Sequence, residues 1–215
     1  EFNPEDMYAD DDMVITISHL GYIKRTPLAD FRQQGRGGIG AKAGAARDED
    51  FIEYVHQANM HSTMMFFTEQ GRLYWTKVYE LPEGNRQSKG RALQNMINIQ
   101  KGDKVCAFIH VKNLSDQEYV QNHYLIFATK NGLMKKTTLE SYSRPRTNGI
   151  IALGLREDDR LIRVTLTDGK SQMLVASYNG KVVRFPEDAV RPMGRTATGV
   201  RASKLDEDGH GRVIG

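Results

Sequence analysis

Gly35, Gly37 and Gly40 lie in "QQGRGGIG" (33–40) with the spacing G-x-G-x-x-G, the outline of a turn that binds a dinucleotide pyrophosphate. That chemistry needs an apolar strand directly before the glycines, a helix opening on them, and an acid about 20 residues further on. The preceding stretch is "PLADFRQQ" (27–34), with a proline, two glutamines and no apolar run, which disfavours a nucleotide-dependent oxidoreductase. A P-loop would place lysine and then serine or threonine after Gly40, where the chain has Ala41-Lys42-Ala43. What the stretch does offer is backbone N–H groups unshielded by side chains, next to the donor fork of Arg36, a combination suited to phosphate. A plain connection between strands fits the same residues.

Other catalytic chemistries find no support. The six histidines are scattered, and His56 and His61 have no partners at metal-ligand spacing, so surface or strand positions are expected for them. No G-x-S-x-G elbow is present. The carboxylate runs 48–50 and 157–159 stand at the starts of strands, where solvated turns are expected. Cys106, the only cysteine, sits in the apolar run "VCAFI" (105–109) and reads as a small buried hydrophobe. No catalytic residue, metal site or cofactor is expected in the chain.

At 215 residues, 39% hydrophobic and 27% charged, the composition is that of an ordinary soluble protein. No apolar run approaches the roughly 20 residues that span a bilayer, and a cytoplasmic location is expected. Charge is unevenly placed. Six of the 27 acids and none of the 30 bases fall in residues 1–12, "EFNPEDMYADDD", leaving 30 bases against 21 acids, a net of +9, in residues 13–215. The reading is an acidic N-terminal linker over 1–12, followed by a basic domain over 13–215 suited to a polyanionic partner.

Four segments of that domain are alike: "MVITISHLGYIKRT" (13–26), "TMMFFTEQGRLYWT" (63–76), "YLIFATKNGLMKKT" (124–137) and "MLVASYNGKVVRF" (173–185). Each joins a β-prone apolar run, a turn ending in glycine and an alternating strand, and so predicts a β-hairpin. Asn131-Gly132 and Asn179-Gly180 predict two-residue type I′ turns. A second glycine follows at a near-constant distance, Gly38 being 17 residues past Gly21, Gly90 19 past Gly71, Gly149 17 past Gly132, and Gly199 19 past Gly180. Turn glycines recur after 50, 61 and 48 residues, the long interval holding the polar insertion "KNLSDQEYVQNH" (112–123). A period near 50 with about four strands predicts an all-β, propeller-like ring of four-stranded antiparallel blades, about four of them here. The clearest unit runs through 161–165, 172–177, 181–185 and 200–205. "DGHGRVIG" (208–215) reads as the start of a further repeat, so the chain is expected to be a fragment.

Basic residues recur at matching places. One set lies on the hairpin strands: Lys24 and Arg25, Arg72 and Lys77, Lys135 and Lys136, Lys181 and Arg184. A second lies in the loops before the second glycine: Arg32 and Arg36, Arg86 and Lys89, Arg144 and Arg146, Arg191 and Arg195. On a ring both sets would reach equivalent rims and give a basic track that binds bent duplex DNA through its phosphates. Bending costs on the order of 1–6 kcal/mol per 20–30 bp site, which many phosphate contacts could offset. The competing class is a protein-binding propeller that uses its charges for solubility alone.

The hairpin repeats, with "VITISHLGYIKRTPLADF" (14–31), "RLYWTKVYELPE" (72–83) and "GKVVRFPEDAVRPMGRTATGVRA" (180–202), resemble the DNA gyrase A C-terminal domain over nearly the whole chain. The resemblance implies a β-pinwheel, usually of six blades, that wraps DNA so that ATP-driven strand passage yields negative supercoils. It implies a heterotetramer formed with the rest of gyrase A and with gyrase B, whose other domains carry the breakage tyrosine, the ATP site and the magnesium-binding carboxylates. It also implies that Gln34, Gly35, Arg36, Gly37, Gly38, Ile39 and Gly40 occupy the family's Gln-basic-Arg-Gly-Gly-basic-Gly box, required for wrapping. Gly35 and Ile39 replace its two basic positions, so the topoisomerase IV C-terminal domain, whose box is degenerate, is the alternative within the family.

Overall fold

The computed structural model describes residues 2–32, 50–85, 87–177 and 180–202. Its strands are β1 (Asp12–Ser18), β2 (Tyr22–Pro27), β3 (Ile52–Asn59), β4 (Thr63–Thr68), β5 (Arg72–Lys77), β6 (Arg91–Ala92), β7 (Val105–Val111), β8 (Tyr124–Thr129), β9 (Leu133–Thr138), β10 (Ile150–Ile151), β11 (Leu161–Thr167), β12 (Gln172–Ala176), β13 (Val182–Pro186) and β14 (Val200–Arg201). Two short helices, α1 (Leu28–Arg32) and α2 (Gln117–Asn122), interrupt them; α2 lies in the polar insertion, where Asp116 caps it by accepting from Tyr119 N–H.

All four predicted hairpins form, but the turn at Asn131-Gly132 is not the expected type I′. Gly21, Gly71, Gly132 and Gly180 each have φ between 80° and 85°, and each N–H donates to the carbonyl three residues earlier, on Ser18, Thr68, Thr129 and Ser177. A type I′ turn at Asn131-Gly132 would need positive φ at both residues, yet Asp158 is the one non-glycine among the described residues with positive φ. The connection is therefore a three-residue loop whose last residue is the left-handed glycine. Side chains reinforce it, since Ser18 Oγ, Thr68 Oγ1 and Thr129 Oγ1 accept from the N–H groups of Tyr22, Arg72 and Leu133. The corresponding turn at Asn179 lies outside the described residues.

The hairpins are flanked according to one rule. The sheet orders are β3-β1-β2-β6, β10-β5-β4-β7 and β11-β8-β9-β14, with β12-β13 as a two-stranded sheet. Each complete sheet takes its hairpin, the next full strand along the chain, and a two-residue strand from the loop after the following hairpin. This corrects the expected unit of contiguous strands: β11 and β14 join β8-β9, and only β12 and β13 pair with each other. First hairpin strands become central and are buried on both faces, every residue of β4 and all of β1 but Asp12 being buried, which explains their continuous apolar runs.

The second glycines stand where the two-residue strands begin. Gly90, Gly149 and Gly199 have φ of 82°, 69° and 103°, and a Cβ there would approach the carbonyl oxygens of Ile23, Leu73 and Met134 to 2.3, 2.6 and 2.4 Å. Only glycine permits that approach, so the glycine period in the sequence is the period of this contact. Gly38, the matching residue of the first repeat, lies outside the described residues.

Contacts divide the chain into two compact units, residues 1–64, 76–98 and 110–112 in the first and residues 65–75, 99–109 and 113–215 in the second. The first contains the sheet β3-β1-β2-β6 around buried Ile15, Ile17, Ile23 and Leu93. The acidic N-terminal stretch is docked in this unit rather than free: Tyr8 stacks on Tyr79 at 5.0 Å, Lys77 pairs with Glu5, and His61 N–H donates to Asp10 at 3.0 Å. In the second unit Phe127 packs edge-on against Phe67 at 5.6 Å, and Ile126, Met134 and Val175 join sheet β11-β8-β9-β14 to the hairpin β12-β13.

Candidate nucleic-acid interface

The seven box residues, Gln34 to Gly40 with Arg36 among them, and Arg86 lie outside the described residues, and Arg32 closes α1. The other basic residues separate into two groups, and the separation corrects the expectation that both face solvent.

The strand set is largely internal. Lys135 is 1% exposed, and its ammonium donates to the Ala152 carbonyl (2.7 Å), the Tyr142 hydroxyl (3.2 Å) and the Arg195 carbonyl, with the rings of Phe127 and Tyr142 at 4.8 and 5.9 Å. Lys136 is buried beside the fully buried Glu187 (3.4 Å) and over the Tyr124 ring (4.4 Å); Thr167 and the Ser171 N–H also donate to that carboxylate. Arg25 is buried with Nε on the Leu81 carbonyl (2.8 Å) and Nη1 on Glu83 (2.9 Å). Lys24 is half-buried and donates to the carbonyls of Asn85 and Ser88. These side chains satisfy the chain's own acceptors, as buried cations must, and cannot reach phosphate without abandoning them.

Arg72 and Lys77 are half-buried, Arg72 donating to the Asn148 carbonyl (2.9 Å) and Tyr74 hydroxyl (3.3 Å), and Lys77 held by Glu5 and the His61 carbonyl. Lys181 and Arg184 are exposed, on the hairpin that carries no flanking strands among the described residues. The loop set stays at the surface. Lys89, Arg144, Arg146 and Arg191 are exposed, Lys89 lying over the Tyr22 ring at 3.9 Å; Arg195 is half-buried and donates to the Ile151 carbonyl.

Burial also sets the protonation states. Desolvation, then the nearby Arg195 charge, pushes the Lys135 ammonium down to about 7, and desolvation lowers Lys24. Burial pushes the Cys106 thiol up to about 12, Glu69 and Asp103 adding to it, so the cysteine is no nucleophile. Among the described residues no group of three or more His, Cys, Asp or Glu is arranged to hold a metal ion, and no helix is long and apolar enough to cross a membrane.

Asp50 and Asp159, in the runs read as solvated turns, share with Asp103 a role that the reading misses. Asp50, Asp103 and Asp159 Oδ1 accept the N–H of Leu20, Gln70 and Asn131 in the preceding hairpin's turn, at 3.0, 3.1 and 3.0 Å. Their spacing, 53 and 56 residues, follows the repeat and was a usable signal.

The four hairpins, three of them flanked by this rule, fall one in each of four stretches matched by one family model, described as DNA gyrase C-terminal domain, beta-propeller: residues 12–59, 62–112, 123–168 and 172–215. The chain belongs to the DNA gyrase C-terminal domain family. It is 46% identical over 201 residues to the DNA gyrase A protein of Haemophilus influenzae, covering 94% of this chain and 22% of that protein. To the DNA gyrase A protein of Staphylococcus aureus it is 41% identical over 207 residues, covering 96% and 23%. The chain thus spans less than a quarter of the length of the curated relatives it matches. Among solved structures, the C-terminal domain of DNA topoisomerase IV aligns with a TM-score of 0.76 at 27% identity, over 97% of this chain and 61% of that one. The DNA gyrase A C-terminal domain aligns with a TM-score of 0.69 at 21% identity, over 95% and 64%, a likeness of fold. The gyrase C-terminal domain family's β-propeller description agrees with the all-β architecture of four-stranded antiparallel sheets found here.

Proposed function

We propose that this chain is the DNA-wrapping part of a DNA gyrase A protein, binding duplex through its phosphates, independently of sequence, and bending it so that ATP-dependent strand passage by the whole enzyme introduces negative supercoils. The observation that carries the reading is the exposed basic side chains, Lys89, Arg144, Arg146 and Arg191, in the loops that recur before the second glycine. Such side chains contribute by releasing counterions and carry no base readout. The box at 34–40, with its backbone donors and Arg36, belongs to the same reading. The rest of gyrase A, together with gyrase B and the ATP and magnesium that they use, completes the proposed assembly. Identities of 41–46% to gyrase A relatives over nearly the whole chain support the gyrase reading.

The test is topological. The chain is bound to relaxed or nicked circular DNA, the circle is sealed or relaxed, and the sign of the trapped writhe is read. A trapped positive wrap is expected; no trapped writhe, with affinity for linear duplex insensitive to salt, refutes the reading. Charge reversal belongs at Arg144, Arg146 and Arg191: loss of DNA binding separates a wrapping domain from a protein-binding propeller. Reversal at Lys135 or Lys136 would instead strand buried carbonyls and Glu187.

A further inference from the structure

Lys24 and Lys135 occupy equivalent positions, one residue past Ile23 and Met134, the residues whose carbonyls face Gly90 and Gly199. Each reaches main-chain oxygens of the loop that ends on that glycine. Lys24 Nζ donates to Asn85 (2.7 Å) and Ser88 (2.8 Å), immediately before Lys89. Lys135 Nζ donates to the carbonyl of Arg195 itself, to Ala152 (2.7 Å) and to the Tyr142 hydroxyl (3.2 Å). An ammonium has three donors, and in Lys135 all three are engaged, so none is left for a phosphate. In the second hairpin the position is Tyr74, whose ring lies against Gly149, a Cβ there meeting Tyr74 Cε1 at 2.7 Å. The position therefore meets the later loop in each complete sheet, by an ammonium in the first and third hairpins and by a ring in the second.

We propose that Lys24 and Lys135 are positioning residues that lock the main chain of the basic loops, so that Lys89 and Arg191, their exposed cations, are presented to the DNA backbone while neither lysine touches phosphate. The inference rests on the DNA-binding reading above. It differs in what it assigns to Lys135, the most buried lysine among the described residues: internal donation to carbonyls in place of external contact.

The experiment uses Lys24→Met and Lys135→Met in the full chain, with Lys24→Arg as the donor-retaining comparison. Two quantities are read: amide hydrogen exchange across residues 87–90 and 194–197, and the slope of log affinity for linear duplex against log salt. Faster exchange confined to the clamped loop is expected, with affinity about three- to tenfold weaker, the scale of one lost anchoring hydrogen bond, and the salt slope unchanged. Lys24→Arg should restore slow exchange. A slope smaller by about 0.9, as for a lost phosphate contact, overturns the proposal, as does unaltered loop exchange. If the parent chain fails to bind duplex, the function reading falls and the presentation role with it, whereas unaltered exchange in both methionine variants sinks the lock alone. Should Lys135→Met not fold, the half-exposed Lys24 site carries the same test.

Discussion

A Cβ on Gly90 would stand 2.3 Å from the carbonyl oxygen of Ile23, and Gly199 stands in the same relation to Met134 at 2.4 Å. Both glycines also hold a positive φ, 82° and 103°. The flanking strands β6 and β14 begin at the next residue, so this contact fixes where the loop of one repeat meets the hairpin of another.

Gly90→Ala and Gly199→Ala should each destabilise the chain by about 2–5 kcal/mol, combining the cost of left-handed backbone for an L-residue with that of overpacking. Gly102→Ala separates the two contributions, because Gly102 has φ 83° but open space around its Cα. It should lose only about 1–2 kcal/mol. Urea unfolding of the three variants reads the difference, and equal losses at Gly90 and Gly102 would show that the carbonyl contact is irrelevant.

Glu187→Gln should cost about 3–5 kcal/mol, since it leaves the Lys136 ammonium buried without its counter-charge. Side-chain exposures of 5% and 0% deny this pair any help from water. Glu5→Gln, which breaks the Lys77 pair at 36% and 29% exposure, should cost about 0–1 kcal/mol. Denaturant midpoints for the two variants, read side by side, check the contrast.

The hairpins were legible because apolar β-prone runs ending in a turn glycine constrain the backbone locally. The turn geometry was misjudged because Asn-Gly favours type I′ in isolation, whereas here Ser18, Thr68 and Thr129 close a three-residue loop from their side chains. Strand partners could not be read: β6, β10 and β14 are two residues long and pair with hairpins at least 66 residues earlier, which no local pattern records. A basic residue that holds the chain's own carbonyls and one open to solvent look the same in sequence, so "KK" at 135–136 and the exposed Arg144 and Arg146 are told apart only by burial. The lysines lie on buried strands and the arginines on a loop, and that is the physical difference.

Stability should fall as pH drops below about 6.5. His56 and His110 are held below the ordinary imidazole range, His56 by burial, and His110 by burial and then by the neighbouring His56. His110 Nε2 is moreover buried without a hydrogen-bond partner among the described residues. The folded chain refuses protons that the unfolded chain accepts, so this contribution is complete above the unfolded value and is lost as pH falls through the folded ones. His110→Phe should flatten the dependence of the urea midpoint on pH below about 6.5, the ordinary imidazole value; an unchanged slope would assign it to other groups.

Salt dependence should distinguish the two basic sets directly. Each phosphate contact contributes about 0.9 to the slope of log affinity against log salt. Arg144→Gln and Arg191→Gln should each flatten the slope by about that amount and weaken binding equally on unrelated sequences, since a phosphate contact carries no base information. Lys136→Met should leave the slope untouched, because its ammonium already pairs with Glu187 at 3.4 Å and sits over the Tyr124 ring. Its cost should appear as lost fold stability, with Glu187 now the uncompensated charge. A slope that falls for Lys136→Met and not for Arg191→Gln would mean that the strands open to meet DNA, and would reverse the assignment of the two sets.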